Sequence, residues 1–190
     1  MSATEELKQE HRIIERMLAV LEAAAARVDA GRELPADFFP RAVDFIRNFA
    51  DRCHHGKEED NLFPTLEKLG IPGESGPIGV MLAEHEQGRA LVRGMEEDGR
   101  RYAKGEKKAL NAAAKNARDY AQLLRQHIDK EDNILYEMAD RMLSPANQMA
   151  LIDKFEEVEL ERIGAGKHKE YLKLVEDLER EMGLGQAGSG

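Results

Sequence analysis

Two segments of this chain repeat the pattern of a histidine followed four residues later by a glutamate. The first segment contains His54 and Glu58, and the second contains His127 and Glu131. In both, a leucine follows the glutamate by four residues and an aromatic residue comes next. Residues four apart lie on one face of an α-helix, so each pair can direct a nitrogen and a carboxylate oxygen at one ion. Two such helices facing each other could hold two metal ions, and the duplication separates this pattern from a chance surface pair.

A second repeat supports the first. The dipeptides Glu10-His11 and Glu84-His85 are followed by apolar residues at the same three offsets, which are Met17, Leu18 and Leu21 in one case and Leu91, Val92 and Met95 in the other. The separation of His11 from His54 nearly equals that of His85 from His127. The first two predicted helices therefore resemble the next two as a repeated hairpin with pseudo-two-fold symmetry.

Composition and periodicity predict an all-α protein. Alanine, leucine, glutamate, lysine and arginine dominate, and tryptophan is absent. Four long amphipathic stretches with short connections predict an up-down-up-down four-helix bundle with additional C-terminal helices. We expect residues 1–143 to form the metal-binding bundle, residues 144–182 to form a helical extension packed on it, and residues 183–190 to form a flexible tail.

Local signals place the helix boundaries. We expect the first helix to begin near Thr4, with Ser2 or Thr4 as its cap, and to end at Gly31. The second helix should start around Asp37 and be kinked or ended by Pro64. The remaining boundaries are predicted by the loop from Gly70 to Pro77, the stop near Gly105, the cap Ser144-Pro145 and the break at Gly164 to Gly166. At about 1.5 Å per residue, antiparallel neighbours bring their histidines to similar heights. The connection from the second helix to the third is less consistent with these equal heights.

Charge and cysteine usage exclude several classes of function. The 190-residue chain has a net charge of −9 and a pI near 5.3, which argues against a nucleic-acid partner. It has no apolar run long enough to span a membrane. The first residues are polar and acidic, unlike a secretory signal. A single cysteine, Cys53, excludes an intrachain disulfide. We therefore expect a cytoplasmic protein.

The proposed ligands are imidazoles and carboxylates, without thiolates. They are His11, His54, Glu58, His85, His127 and Glu131. This donor set suits iron, with manganese or zinc as possible substitutes, and paired carboxylates in a bundle core commonly hold two iron ions. Three acidic neighbours, Glu59, Asp60 and Asp132, are expected to face solvent or to support the ligand histidines from outside.

At these residues the chain resembles the hemerythrin-like family, the HHE cation-binding domains. The family pattern is a histidine, then His-x-x-x-Glu, then a histidine, then His-x-x-x-Glu or His-x-x-x-x-Asp. Here it is matched by His11, by His54 with Glu58, by His85, and by His127 with Glu131, and the likeness extends from Thr4 to about Leu143. Asp132 would satisfy the second form of the last pair, whereas the internal repeat favours Glu131.

The chain departs from the oxygen-carrying members of that family at one position. Those proteins place a further histidine four residues after the third station, where this chain has Arg89. His55 could supply the missing nitrogen, although it points about 100° away from His54 on an α-helix. His168 could also do so if the C-terminal segment bends over the site, with Glu159 as a weaker companion.

The resemblance implies one of two functions. The first is a di-iron protein that binds or reacts with oxygen, peroxide or nitric oxide, for example in a catalase-like reaction, with no catalytic acid or base assigned. The alternative is a non-enzymatic protein for oxygen or iron binding, sensing or storage, which fits the lack of a substrate-pocket motif. In both, the partner is a small diatomic or peroxide ligand. A bundle with a metal-free polar core is the purely structural interpretation.

Overall fold

The computed structural model describes residues 1–185, and within them all regular secondary structure is helical, which confirms the predicted all-α class. The helices form a bundle and connect through short loops. In chain order they are α1 (Ala3–Asp29), α2 (38–68), α3 (Pro77–Ala103), α4 (109–142), α5 (Pro145–Arg162) and α6 (Lys167–Met182). Residues 186–190 of the predicted tail lie outside the described residues.

Helix α1 begins and ends at the signals read from the sequence. Ser2 is its cap: the Ser2 hydroxyl accepts from the Glu5 amide at 3.1 Å, and the Glu5 carboxylate accepts from the Ser2 amide at 2.6 Å. The helix stops at Asp29, and Gly31 follows with a φ of 74°, a conformation that favours glycine. The same reciprocal cap, between Ser144 and Asn147, opens α5.

Helices α2 and α4 contain π-helical stretches at the predicted ligands. In α2 the π-helical segments are Ile46–His55 and Glu58–Leu62, and α-helical segments Phe38–Phe45 and Phe63–Lys68 lie before and after them. In α4 the π-helical segment is Glu131–Leu135, between the α-helical segments Ala109–Lys130 and Tyr136–Met142. Such wide turns inside α-helices often mark functional sites. The prediction that Pro64 could end α2 is wrong, because the helix continues from the π-helical Glu58–Leu62 through Pro64 to Lys68.

The interior consists of two hydrophobic clusters with a polar layer between them. The larger cluster includes Ile14, Ala50, Val92 and Leu124, and the smaller includes Leu7, Leu62, Met81 and Leu135. Each of the first four helices passes from one cluster to the other at its predicted ligand histidine. The candidate ligands are thereby brought to one level of the bundle and sealed above and below by apolar side chains.

The last two helices pack against the first four. Leu151 and Phe155 of α5 join the smaller cluster, whereas Tyr171, Val175 and Leu178 of α6 join the larger one. Helix α6 lies along α1 and α2, and α5 contacts the π-helical part of α2. None of the six described helices combines the length and hydropathy needed to cross a membrane.

Candidate metal centre

The structure brings the six predicted ligands together in two adjoining groups. Group A contains His11, His54, Glu58 and Glu131, and group B contains His55, Glu58, His85 and His127. In each group the ligand atoms lie within 4.8 Å of one another, and every member is buried. Glu58 belongs to both groups. Two adjacent ions held in this way would share a carboxylate.

The separations between ligand atoms suit metal coordination. Glu131 Oε2 lies 3.2 Å from Nε2 of both His11 and His127, so this carboxylate also reaches both groups. Glu58 Oε2 lies 3.5 Å from His85 Nε2 and 3.8 Å from His54 Nε2. Two ligands about 2.1 Å from one ion and at right angles to each other would be about 3 Å apart.

Several atoms that face the centre lack a partner. Within residues 1–185, His11 Nε2, Glu58 Oε2 and both carboxylate oxygens of Glu131 are buried and make no hydrogen bond. Buried polar atoms without partners are costly, so native proteins rarely retain them without a reason. All four unpaired atoms belong to residues of group A, and one of these residues, Glu58, is shared with group B. Bound cations would give these atoms the partners that they lack.

A carboxylate outside the centre faces Nδ1 of each histidine. The Nδ1–oxygen pairs are His11 with Asp132 at 2.7 Å, His54 with Glu10 at 2.8 Å, His55 with Asp51 at 3.3 Å, His85 with Glu59 at 2.6 Å, and His127 with Glu84 at 2.9 Å. Such contacts fix the imidazole tautomer so that Nε2 is left for the metal, and they raise the basicity of the ligand.

These outer carboxylates follow the internal repeat. Glu10 precedes His11 on α1 and supports His54 of α2; likewise Glu84 precedes His85 on α3 and supports His127 of α4. In the sequence both Glu-His dipeptides mark the internal repeat, but the pattern alone predicts no role for these glutamates. The signal was available, since each adjoins a predicted ligand at the same offset.

The two halves of the centre differ at one aromatic residue. The Tyr136 hydroxyl donates to Glu58 Oε1 at 2.5 Å, and Tyr136 is fully buried. The corresponding residue after Glu58 is Phe63, which has no hydroxyl to offer Glu131. Glu58 is therefore anchored by a hydrogen bond, whereas within residues 1–185 the two carboxylate oxygens of Glu131 have no hydrogen-bond partner.

Comparison with known proteins agrees with this geometry. The family model described as the hemerythrin HHE cation-binding domain matches residues 2–139. The chain belongs to the hemerythrin HHE family. Relatives that share 24% identity over 184 residues, 97% of this chain and 71% of their own length, are uncharacterized proteins of Mycobacterium bovis and Mycobacterium tuberculosis. No solved structure gives a significant match.

In this HHE domain His55 reaches the centre, which an ideal α-helix would not allow. Its ring stacks on that of His85 with centroids 3.8 Å apart, and it belongs to group B. His55 ends the π-helical stretch Ile46–His55, whose wider turns change the direction of side chains relative to an α-helix. The α-helical angle used in the sequence analysis therefore does not apply to this residue.

The other candidates for completing the site lie elsewhere. His168 and Glu159 form a separate group with Glu10, and the His168 ring packs edge-on against Phe49 at 5.0 Å. Asp132 faces His11 Nδ1 from outside the centre, whereas Glu131 lies inside it. Arg89 bonds Asp51 and Glu59, each at 2.8 Å, and so joins the carboxylates that support His55 and His85. Asp60 pairs with Arg162 rather than with a histidine.

A buried lysine neutralises the outer side of group A. Lys57 is fully buried, and its ammonium donates to Glu10 at 2.6 Å and to Glu6 at 2.7 Å. Although burial opposes the charged form, Glu10 keeps the pKa of Lys57 above its usual value. Glu10 therefore bonds Lys57 through one oxygen and His54 through the other, which fixes the orientation of that ligand.

The buried titratable groups have strongly shifted pKa values. Burial, followed by the nearby Glu131 carboxylate, raises the pKa of Glu58 well above its usual range. Burial lowers the pKa of His127, but Glu131 and Glu84 outweigh it and raise that pKa to about 9. For His11, burial likewise acts downward, yet Asp132 and Glu131 raise the pKa overall. Without a cation, the imidazole of His127 therefore holds its proton at neutral pH.

Metal loading at neutral pH is expected to release protons. A metal ligand must be deprotonated, so binding displaces the proton held by His127, and at least about one proton per chain should be released at full loading. Calorimetric titration in buffers of different ionisation enthalpy measures this number. We expect fewer protons to be released as the pH rises towards 9. A binding heat that is the same in every buffer would show that no protons are released and would contradict this prediction.

Replacing Glu84 with glutamine is expected to weaken metal binding without removing a ligand. The His127 ring would lose the carboxylate that orients it, and loss of such a partner typically lowers metal affinity roughly 10–100-fold. Competition with a chromophoric chelator measures the affinity. Glu97→Gln, an exposed change on the same helix, is the matched control and should leave it unchanged. Equal affinities for the two variants would show that Glu84 has no supporting role.

Proposed function

We propose that this HHE protein is a non-haem di-iron protein that binds or reacts with oxygen, peroxide or nitric oxide. The observation that carries the proposal is the pair of buried ligand groups that share Glu58 and are also linked by Glu131. A donor set of five histidines and two carboxylates without thiolate suits iron, and manganese or zinc could occupy the same ligands. We take the protein to be cytoplasmic, as its single buried cysteine fits a reducing compartment.

We further propose the up-down-up-down arrangement for the first four helices. Successive helices cross the polar layer in alternating directions: α1 and α3 pass from the smaller to the larger hydrophobic cluster, whereas α2 and α4 pass back. Helix α4 also packs along both α1 and α3. This arrangement supports a metal centre built by all four helices, with α5 and α6 as an extension outside it.

The residues of the chain would hold and shield the metal rather than perform the redox step. Iron ions held there would supply two-electron redox chemistry, which in peroxide dismutation takes one peroxide molecule as oxidant and a second as reductant. The histidines, Glu58 and Glu131 would hold the ions, and Tyr136 fixes the position of Glu58 through its hydroxyl. The apolar clusters on both sides of the polar layer exclude water, which strengthens the electrostatic interactions within it.

Iron reconstitution tests the proposal. We expect anaerobic loading followed by air to give about two irons per chain and an optical spectrum typical of a bridged ferric pair. Added peroxide should then be consumed rapidly, and a variant with His54 and Glu58 both changed to alanine should lose this activity. Binding of less than about half an iron per chain would contradict the proposal and support the metal-free structural interpretation.

The alternative is a non-enzymatic protein for oxygen or iron binding, sensing or storage. It is favoured by the complete burial of group A between apolar layers, an environment suited to holding a small gas without reaction. A loaded protein that shows reversible spectral change under oxygen but no peroxide turnover would select this alternative. Irreversible bleaching and iron release under oxygen would argue against it.

A further inference from the structure

An arginine at the end of α5 contacts the π-helical part of α2. The guanidinium of Arg162 donates to the carbonyl oxygen of Arg52 at 3.1 Å and pairs with the carboxylate of Asp60. Arg52 belongs to the π-helical segment Ile46–His55, and Asp60 belongs to the next one, Glu58–Leu62. One side chain of the C-terminal extension therefore spans the junction between the two π-helical segments.

The carbonyl that Arg162 reaches lies where the π-helix diverts its usual partner. In an α-helix the amide of Gly56 would donate to the carbonyl of Arg52, four residues earlier. Here the Gly56 amide donates to the carbonyls of Asp51 and Cys53, and the bond to Asp51, five residues back, is that of a π-helix. The guanidinium supplies a donor to the carbonyl that Gly56 does not use, and it thereby favours the wide turn over an α-helical one.

Gly56 lets the guanidinium lie against the helix. A Cβ placed on Gly56 would overlap with Nη1 of Arg162, so a larger residue would push the guanidinium away. The φ of Gly56 is −64°, an ordinary helical value that does not require glycine. Because glycine is unfavourable inside a helix, its presence here has a cost to stability and is explained by the close approach of Arg162.

The internal repeat provides a comparison within the chain. His55 and Gly56 correspond to Ile128 and Asp129 of α4. That part of α4 belongs to the α-helical segment Ala109–Lys130, and Ile128 packs in the larger hydrophobic cluster. The half of the repeat that has the wide turn and the glycine is thus the half that contributes an additional histidine to the centre.

We infer that Arg162 is a positioning residue of the metal centre, which keeps His55 in group B by holding the π-helical turn of α2. It acts through the backbone at Arg52 and Gly56, and the His55 ring remains stacked on that of His85 as a result. The extension thereby gives group B three histidines instead of two. This inference rests on the proposed metal-binding function and adds to it a control from outside the four-helix bundle.

Zinc titration of the full chain against a chromophoric chelator tests the inference. We expect Arg162→Ala to bind one zinc ion normally and the other about ten-fold more weakly, a loss typical when the support of a ligand is removed. Arg162→Lys keeps a charge for Asp60 but lacks the planar fork that also reaches the carbonyl, so it should show the same loss. Arg180→Ala removes an exposed arginine that pairs within its own helix, and it should leave both affinities unchanged.

A double-mutant cycle with His55 distinguishes positioning from a general weakening of the fold. His55→Ala removes the histidine itself, so adding Arg162→Ala should cause no further loss of zinc affinity. A double variant that binds zinc more weakly than either single variant would overturn the inference. Unchanged affinity in Arg162→Ala would also overturn it, and unchanged affinity in Arg162→Lys would show that the ion pair is sufficient without the carbonyl bond, with the same consequence.

A measurement without metal separates this inference from the proposed function. The chain has six histidines, and His55→Gln identifies the NMR signal of the His55 ring in the metal-free protein. In Arg162→Ala, and in Gly56→Ala, where the new Cβ displaces the guanidinium, this signal should move to the position of an unstacked imidazole while that of His11 stays. An unshifted His55 signal in Arg162→Ala would overturn the inference. Failure of the unmodified protein to bind metal, with the His55 signal shifted as expected, would instead overturn the di-iron function.

Discussion

Replacing Glu58 with alanine is expected to remove both metal ions from the chain. Glu58 belongs to both group A and group B, whereas each histidine belongs to a single group. Its loss takes a bridging carboxylate from both ions and leaves the Tyr136 hydroxyl without its acceptor. We expect the metal content after iron reconstitution to fall from about two ions per chain to well below one, measured by elemental analysis.

Two further variants make this result specific. Glu67→Ala removes an exposed carboxylate from the same helix and should leave the metal content unchanged. His85→Ala takes one ligand from group B alone and should retain close to one ion, held by group A. If Glu58→Ala still binds about two ions, the two groups do not depend on a common carboxylate, and the proposed bridge is wrong.

The main outline of the centre could be predicted because helical periodicity fixes which residues share a face. His11, His54, His85 and His127 lie on otherwise apolar stripes, and the two His-x-x-x-Glu pairs have the offset of one helical turn. The structure places all four histidines and both glutamates in one buried layer. The caps of α1 and α5 were predictable for a similar reason, because a serine before a helix has a specific local partner.

The contribution of His55 could not be predicted from α-helical geometry. Its position depends on the π-helical stretch Ile46–His55, and a wide turn of this kind follows from tertiary packing rather than from a recognised sequence signal. The same limit applies to Pro64, which the preceding π-helical turn accommodates within α2. For His168 the break before α6 was predicted, but the sequence does not fix the direction of the following helix. The structure places His168 beside Phe49 and Glu159.

Removing the metal is expected to destabilise the whole bundle, because the centre forms its middle layer. Without cations, Glu58 and Glu131 remain buried next to each other with unpaired oxygens. An ion present at a thousand times its dissociation constant stabilises the folded state by about 4 kcal/mol. For a chain of this size, 1 kcal/mol corresponds to roughly 2–4 °C in melting temperature, so chelation should lower it by on the order of 10 °C or more.

Calorimetry with and without a chelator measures this effect, and Glu58→Ala provides its control. Because that variant is expected to bind little metal, the chelator should hardly change its melting temperature. In the metal-free state the variant also loses one of two adjacent buried carboxylates, which offsets part of the cost of its cavity. It should therefore be less stable than the loaded protein but close to the metal-free one. Equal melting temperatures for the loaded and metal-free unmodified protein would mean that the polar layer is stable by itself and that the metal does not contribute to folding.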